Sequence, residues 1–220
     1  MKLALILVVS LFLVAKVAVA APSTIPIPIV RVLLVPIDGE RYITAAQAAA
    51  VFEAWSQAER VWLQAQTGKT YDLAPILVVR SPHNLLYFGA GDLDACGEAA
   101  KNDGDLTLRE AYIAAGLGES PRNARVWVVA LGHGGFAGAN WYRKEDFGWG
   151  MVGDHGVAYA SGTLIPCFEP QKYSDSGGFV IESLHAMGVD SEVPVRLELG
   201  STMTASQIRD FRNKNRAFLR

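Results

Sequence analysis

Three short runs of apolar residues, Ile29 to Val35, Pro75 to Arg80 and Arg125 to Leu131, stand out because polar positions hardly interrupt them. Runs of that length, rich in β-branched and aliphatic side chains, suit strands buried on both faces of a sheet. Between the first two lies Thr44-Ala-Ala-Gln47, a capping box: a side-chain oxygen meets an orphan N–H of the first helical turn, and the glutamine reaches back. Apolar residues then recur at helical spacing through Ala48, Val51, Trp55, Ala58, Trp62 and Ala65, and the pattern stops at Gly68. Strand, helix and strand together make a βαβ unit, whose crossover is expected to be right-handed.

Pro82 to Gly104 reads mostly as loop, and a second capping box, Thr107-Leu-Arg-Glu110, predicts the start of a short helix ending at Gly116. The third apolar run leads into the glycine-rich stretch Gly132 to Gly138. Further glycines at 148, 150, 153 and 156 separate strand-like pieces such as Gly156 to Ser161. A helix is expected between Gly177 and Gly188, and Thr204-Ala-Ser-Gln207 caps a last one carrying Ile208, Phe211 and Phe218. With no internal repeat and no linker, residues 29–220 read as one α/β domain with a mixed twisted sheet, behind an extended, proline-rich lead-in at residues 21–28.

The first twenty residues have a different character. A basic start at Met1-Lys2, an apolar run from Leu3 to Val14 and an A-x-A box at Ala18-Val19-Ala20 predict a secretory signal peptide, with Lys16 cutting the run short of a membrane span. The chain is therefore expected in the periplasm or outside the cell. Without that segment it carries 18 basic and 22 acidic residues, a net charge of −4, and no basic run. Nucleic acid and anionic membrane are accordingly not expected as partners. In an oxidising compartment Cys96 and Cys167 are expected to form a disulfide, closing a long loop.

Gly132-His133-Gly134-Gly135-Phe136-Ala137 has the spacing of a dinucleotide fingerprint, but loop and edge strand are expected after it where the fingerprint needs a helix N-terminus, so no nucleotide cofactor is predicted. His133, His155 and His83 read as loop or turn residues, and the acidic pairs Asp92/Asp94 and Asp103/Asp105 as turn chemistry, with a Ca²⁺ site as the alternative. The informative segment is Ile181-Glu182-Ser183-Leu184-His185-Ala186-Met187-Gly188. Residues 181 and 185 share one helical face, the spacing at which H-E-x-x-H holds one Zn²⁺ with the glutamate as general base.

From Gly178 to Val189 the chain resembles the active-site helix and glycine turn of the metzincin zinc endopeptidases, with Gly188 at the turn and Ser191 at the third histidine position. Gly200-Ser-Thr-Met203 is similar to their Met-turn, and the closing helix is similar to that of small bacterial members. The resemblance implies a zincin-like fold: a mixed sheet, a long backing helix, an active-site-type helix and a short C-terminal helical part. It also implies Glu182 as vestigial general base and His185 as the surviving zinc ligand. Ile181 and Ser191 occupy the other two ligand positions, and neither a branched hydrocarbon nor a neutral hydroxyl suits Zn²⁺. A non-catalytic, peptide- or protein-binding pseudoenzyme without a cofactor is therefore expected. Two alternatives stand beside it: an active zinc endopeptidase recruiting His133, His155 or Asp190, and a secreted interaction domain unrelated to peptidases.

Overall fold

A computed structural model describes residues 25–89, 104–135, 137–163, 177–190 and 202–220. The three apolar runs form the parallel strands β1 (Ile29–Val35), β2 (Leu73–Arg80) and β3 (Ala124–Ala130). Two more strands follow: β4 (Ala137–Tyr142) and β5 (Phe147–Gly153). β5 lies parallel to β3, while β4 pairs antiparallel with β5, giving the order β2-β1-β3-β5-β4. The fold is mixed α/β with a mostly parallel five-stranded sheet. β1 and β3 are buried almost throughout, as their unbroken apolar character requires.

The long helix α1 (Ala45–Thr67) starts at the predicted capping box, with both reciprocal hydrogen bonds between Thr44 and Gln47 made, and ends at Gly68 with φ of 65°. Its buried stripe is not the predicted one. It runs through Ala45, Ala48, Phe52, Ser56, Glu59, Leu63 and Thr67, while Ala58 and Ala65 face solvent and Val51, Trp55 and Trp62 lie half-buried on its flank. The polar members can be buried because each finds a partner: Ser56 Oγ donates to the Phe52 carbonyl at 2.7 Å and Thr67 Oγ1 to the Leu63 carbonyl at 2.6 Å.

Two further expectations are corrected. Helix α2 (Gly104–Ala114) begins ahead of the second capping box, so Thr107 lies within it, and its buried hydroxyl meets the His133 imidazole at 2.9 Å. Residues after β5 form a helix, α3 (Asp154–Ala160), where a strand-like piece was expected; Asp154 in its first turn suits the positive end of the helix dipole. The remaining helices, α4 (Gly177–Ala186) and α5 (Ala205–Lys214), fall where predicted, the second with its Thr204/Gln207 capping box intact.

The sheet divides the core in two. On one face Leu33, Trp127 and Val129 pack with Phe52, Phe179, Leu184, Met187 and Phe211 from α1, α4 and α5; on the other, Val32, Val126 and Met151 pack with Leu108 and Tyr112 of α2. Arg125, wholly buried at the start of β3, ties the ends together. Its five N–H donors reach Asn215 Oδ1, the carbonyls of Ala124, Asp146 and Lys214, and Asp146 Oδ1, and its guanidinium lies 4.5 Å from the Phe218 ring centre. The last residues run beside the start of the sheet: the Ile27 N–H donates to the Ala217 carbonyl at 3.0 Å, Tyr71 bridges Leu219, and the Arg220 N–H donates to the Thr70 carbonyl at 2.8 Å. Among the described residues no helix is long and apolar enough to cross a membrane. The predicted signal peptide, Cys96, Cys167, Ser191, Asp92, Asp94 and Asp103 lie outside the described residues.

Candidate functional site

Helix α4 lies on β5 and β4, and the glycines of β5 let it approach. Successive strand residues face opposite ways, so Gly148 and Gly150 point to α4 while Phe147, Trp149 and Met151 point to α2. A Cβ on Gly148 would sit 1.7 Å from the Ala186 carbonyl oxygen, and one on Gly150 would sit 2.6 Å from that of Glu182. The helix backbone thus rests on the strand backbone. Phe179, Val180, Ser183, Leu184, Ala186 and Met187 are buried beneath it, which leaves Ile181, Glu182 and His185 on the half-exposed side. Ile181 and His185 share a face one turn apart, as their spacing predicts.

His185 Nδ1 lies 3.6 Å from Glu182 Oε2, an ion pair whenever the imidazole is protonated. Beyond them the helix closes in a Schellman motif. Gly188 has φ of 68°, its N–H donates to the His185 carbonyl at 2.8 Å, and the Val189 N–H donates to the Leu184 carbonyl at 2.9 Å. The carbonyls of the turn just past the helix are held by α5 and its end: Asn215 Nδ2 donates to Met187 O at 2.9 Å and Lys214 Nζ to Gly188 O at 2.6 Å. Met203 is buried in the same core, its N–H donating to Gln66 Oε1 of α1 at 3.2 Å. Asp190 is exposed past the turn, and its carbonyl accepts from Gln207.

The other histidines are committed elsewhere. His133 is buried with its Nδ1 3.1 Å from the Leu131 carbonyl and its Nε2 against Thr107, so Nδ1 carries the proton and Nε2 accepts from the hydroxyl. Burial pulls its pKa down to about 4. His155 lies buried at the start of α3 with Tyr42 edge-on to it, ring centres 5.6 Å apart. His83 stacks on Tyr87 in a turn, as expected of it. Two buried carboxyl groups escaped the sequence reading. Asp154 accepts from the Gly134 N–H at 2.9 Å, and burial, offset by the Gly132 and Gly134 amides, lifts its pKa to about 6. Glu59 receives the Ser183 hydroxyl at 2.5 Å, joining α1 to α4, and burial raises its carboxyl well above the ordinary range. The only signal for Glu59 was its register with Ala48, Phe52 and Leu63.

A zinc ion does not fit the described donors. The site face offers one imidazole, a carboxylate beside it and the hydrocarbon of Ile181, and no three His, Cys, Asp or Glu side chains among the described residues are grouped to hold a metal. Next to α4, the outer edge of β4 carries no further strand among the described residues. The Trp141 N–H donates to its neighbour's Asn140 Oδ1 at 2.8 Å and so points away from β5; by alternation the Ala139 N–H does too. In comparisons with known proteins, no family model, no curated protein and no solved structure matches the chain.

Proposed function

We propose that this chain is an exported pseudoenzyme with a zincin-like fold, which binds an extended peptide by strand addition to β4 and carries no zinc chemistry. The observation that carries this reading is the face of α4: Ile181 stands where a second metal ligand would be needed, one turn before His185, on a helix that β5 holds in place backbone to backbone. The antiparallel edge strand beside that helix supports the peptide half of the reading, because an edge with outward amides pairs with an extended chain at little structural cost. Glu182, with no activated water to deprotonate, then acts as partner to His185 rather than as a base.

Purified protein lacking residues 1–20 is expected to leave casein intact and to melt at the same temperature with and without a chelator. Chelator-sensitive proteolysis lost in Glu182→Gln would replace the proposal with an active peptidase using other ligands. The peptide half is tested with extended peptides selected from a display library, measured by calorimetry. Ala139→Pro removes an outward N–H and spares the ladder to β5, so it should abolish binding without lowering the melting temperature; unchanged binding would place the peptide elsewhere. Ancestry is tested by the double variant Ile181→His with Ser191→His. Zinc should raise its melting temperature, and a folded double variant that ignores zinc would end the zincin reading.

A further inference from the structure

A net charge of −4 speaks against an anionic partner, but it is a sum over a surface on which charge is segregated. Residues 205–220, α5 and the turn after it, carry cations at 209, 212, 214, 216 and 220 against Asp210 alone. Two of these are neutralised: Lys214 Nζ lies 3.4 Å from Asp210 Oδ2, and Arg220 pairs with Asp72. The other three are exposed arginines whose hydrogen bonds go to neutral groups. Arg209 donates to Ser206 Oγ at 3.2 Å, Arg212 Nε to the Thr67 carbonyl at 2.9 Å, and Arg216 to Asn213 Oδ1 at 3.1 Å. None of the three meets a carboxylate among the described residues.

The fold brings these charges together. Arg209 and Arg212 share a face of α5 at i, i+3, and Asn213, which receives Arg216, stands one turn after Arg209. Arg212 reaches the end of α1, where the exposed Lys69, with no carboxylate partner among the described residues, adds a fourth uncompensated cation. Apolar side chains are exposed at the same corner. The Ile27 N–H donates to the carbonyl of Ala217, the neighbour of Arg216, and Ile25 and Ile27 are 86 % and 37 % exposed. The sequence ahead of Ile25, with its apolar run Leu3 to Val14, joins the fold here, so this corner is the part of the domain nearest a bilayer that holds that run. Cations beside apolar side chains match a leaflet of acidic phospholipid, whose headgroups take the guanidinium groups while its acyl boundary takes the isoleucines. A dissolved polyanion satisfies the arginines and leaves Ile25 in water.

We infer that this corner docks on the surface of an anionic phospholipid bilayer, with Arg209, Arg212, Arg216 and Lys69 against the headgroups and Ile25 and Ile27 in the interface. Neither the β4 edge nor the face of α4 takes part, so the docking stands or falls independently of peptide binding.

Vesicle sedimentation tests it. Protein lacking residues 1–20 keeps every described residue and removes the apolar run as a route into lipid. It should sediment with vesicles of mixed phosphatidylglycerol and phosphatidylcholine at about 0.1 M salt, stay in solution with phosphatidylcholine alone, and be released at about 1 M salt, where charges are screened within about 3 Å. Each arginine near the surface is worth about fivefold in binding, so Arg209→Gln with Arg216→Gln should weaken it about 25-fold at an unchanged melting temperature. Arg41→Gln with Arg80→Gln removes the same charge at the opposite end of β1 and β2 and should change binding by less than about twofold. Ile25→Ser should weaken vesicle binding about tenfold and leave binding to long-chain polyphosphate unchanged. No binding to the mixed vesicles, equal binding to phosphatidylcholine, a folded Arg209→Gln, Arg216→Gln variant with undiminished affinity, or an equal loss in the Arg41→Gln, Arg80→Gln control would each overturn the inference. Tight polyphosphate binding together with vesicle binding indifferent to Ile25→Ser would replace the bilayer with a soluble polyanion.

Discussion

Asp154 and His133 meet at one glycine turn, His133 within it and Asp154 accepting from its Gly134 N–H, and their buried side chains respond to pH in opposite directions. With its pKa near 6 instead of 3.8, Asp154 keeps its proton better folded than unfolded, so its contribution to stability falls as pH rises from about 4 to about 6 and stays low above that. His133, depressed from 6.5 to about 4, stays neutral while the unfolded chain takes up a proton, so its contribution is lost as pH falls through that window. The two slopes oppose each other. Asp154→Asn keeps an oxygen for the Gly134 N–H and removes the cost of a buried charge. It is expected to stabilise the protein at pH 7 by roughly 3 kcal/mol at most, with the gain shrinking toward zero by about pH 4. Melting temperatures of variant and parent from pH 4 to 7 check this; a variant less stable than the parent at pH 7 would mean the ionised carboxylate is itself required. Neither role was legible beforehand. An aspartate after a glycine reads as turn chemistry, and only the folding of the Gly132–Gly134 amides around it makes it a buried acceptor.

At the scale of elements, the seating of α4 depends on two positions of β5 having no side chain. Gly148→Ala places a methyl inside the Ala186 carbonyl, so either the helix lifts or the strand bends; a loss of more than about 2 kcal/mol is expected, measured by urea denaturation. A melting temperature within a degree of the parent would show that the helix is not held there. Most elements were readable in advance because their signals are local: continuous apolar runs gave β1, β2 and β3, and paired capping boxes gave the starts of α1 and α5. The readings that failed lacked a local signal. The second capping box failed because the helix already runs from Gly104, which puts Thr107 inside it with its hydroxyl against His133, and the α1 stripe was misplaced by one position because Glu59 and Ser56 find partners that no helical pattern reveals. On α4, spacing alone placed Ile181 and His185 on one face with Glu182 beside them. That β5 would carry the helix was invisible, since glycines in a strand read as turns until a neighbouring backbone is seen against them.

For the molecule as a whole, Arg125 joins β3, the β4–β5 turn and the end of α5, and through Asn215 it reaches the turn just past α4. Arg125→Lys keeps the charge but has three donors in place of a five-donor fork. It should destabilise the protein by roughly 3 kcal/mol and broaden protection loss in hydrogen exchange to the end of α4. Unchanged exchange at Met187–Val189 in that variant would show that the two regions are uncoupled. The sheet order could not have been read from the sequence, because nothing local says that β5 inserts between β3 and β4. The run of residues 217–220 beside residues 27 and 70–72 has a consequence for how the chain can be rewired. With these two stretches already adjacent, a short glycine-serine linker from residue 220 to residue 25 would span little distance, and the chain could be reopened at the exposed Arg143-Lys144 turn. Such a circular permutant would keep every strand pairing while exchanging which contacts are local, so its native state should survive and its folding rate should change.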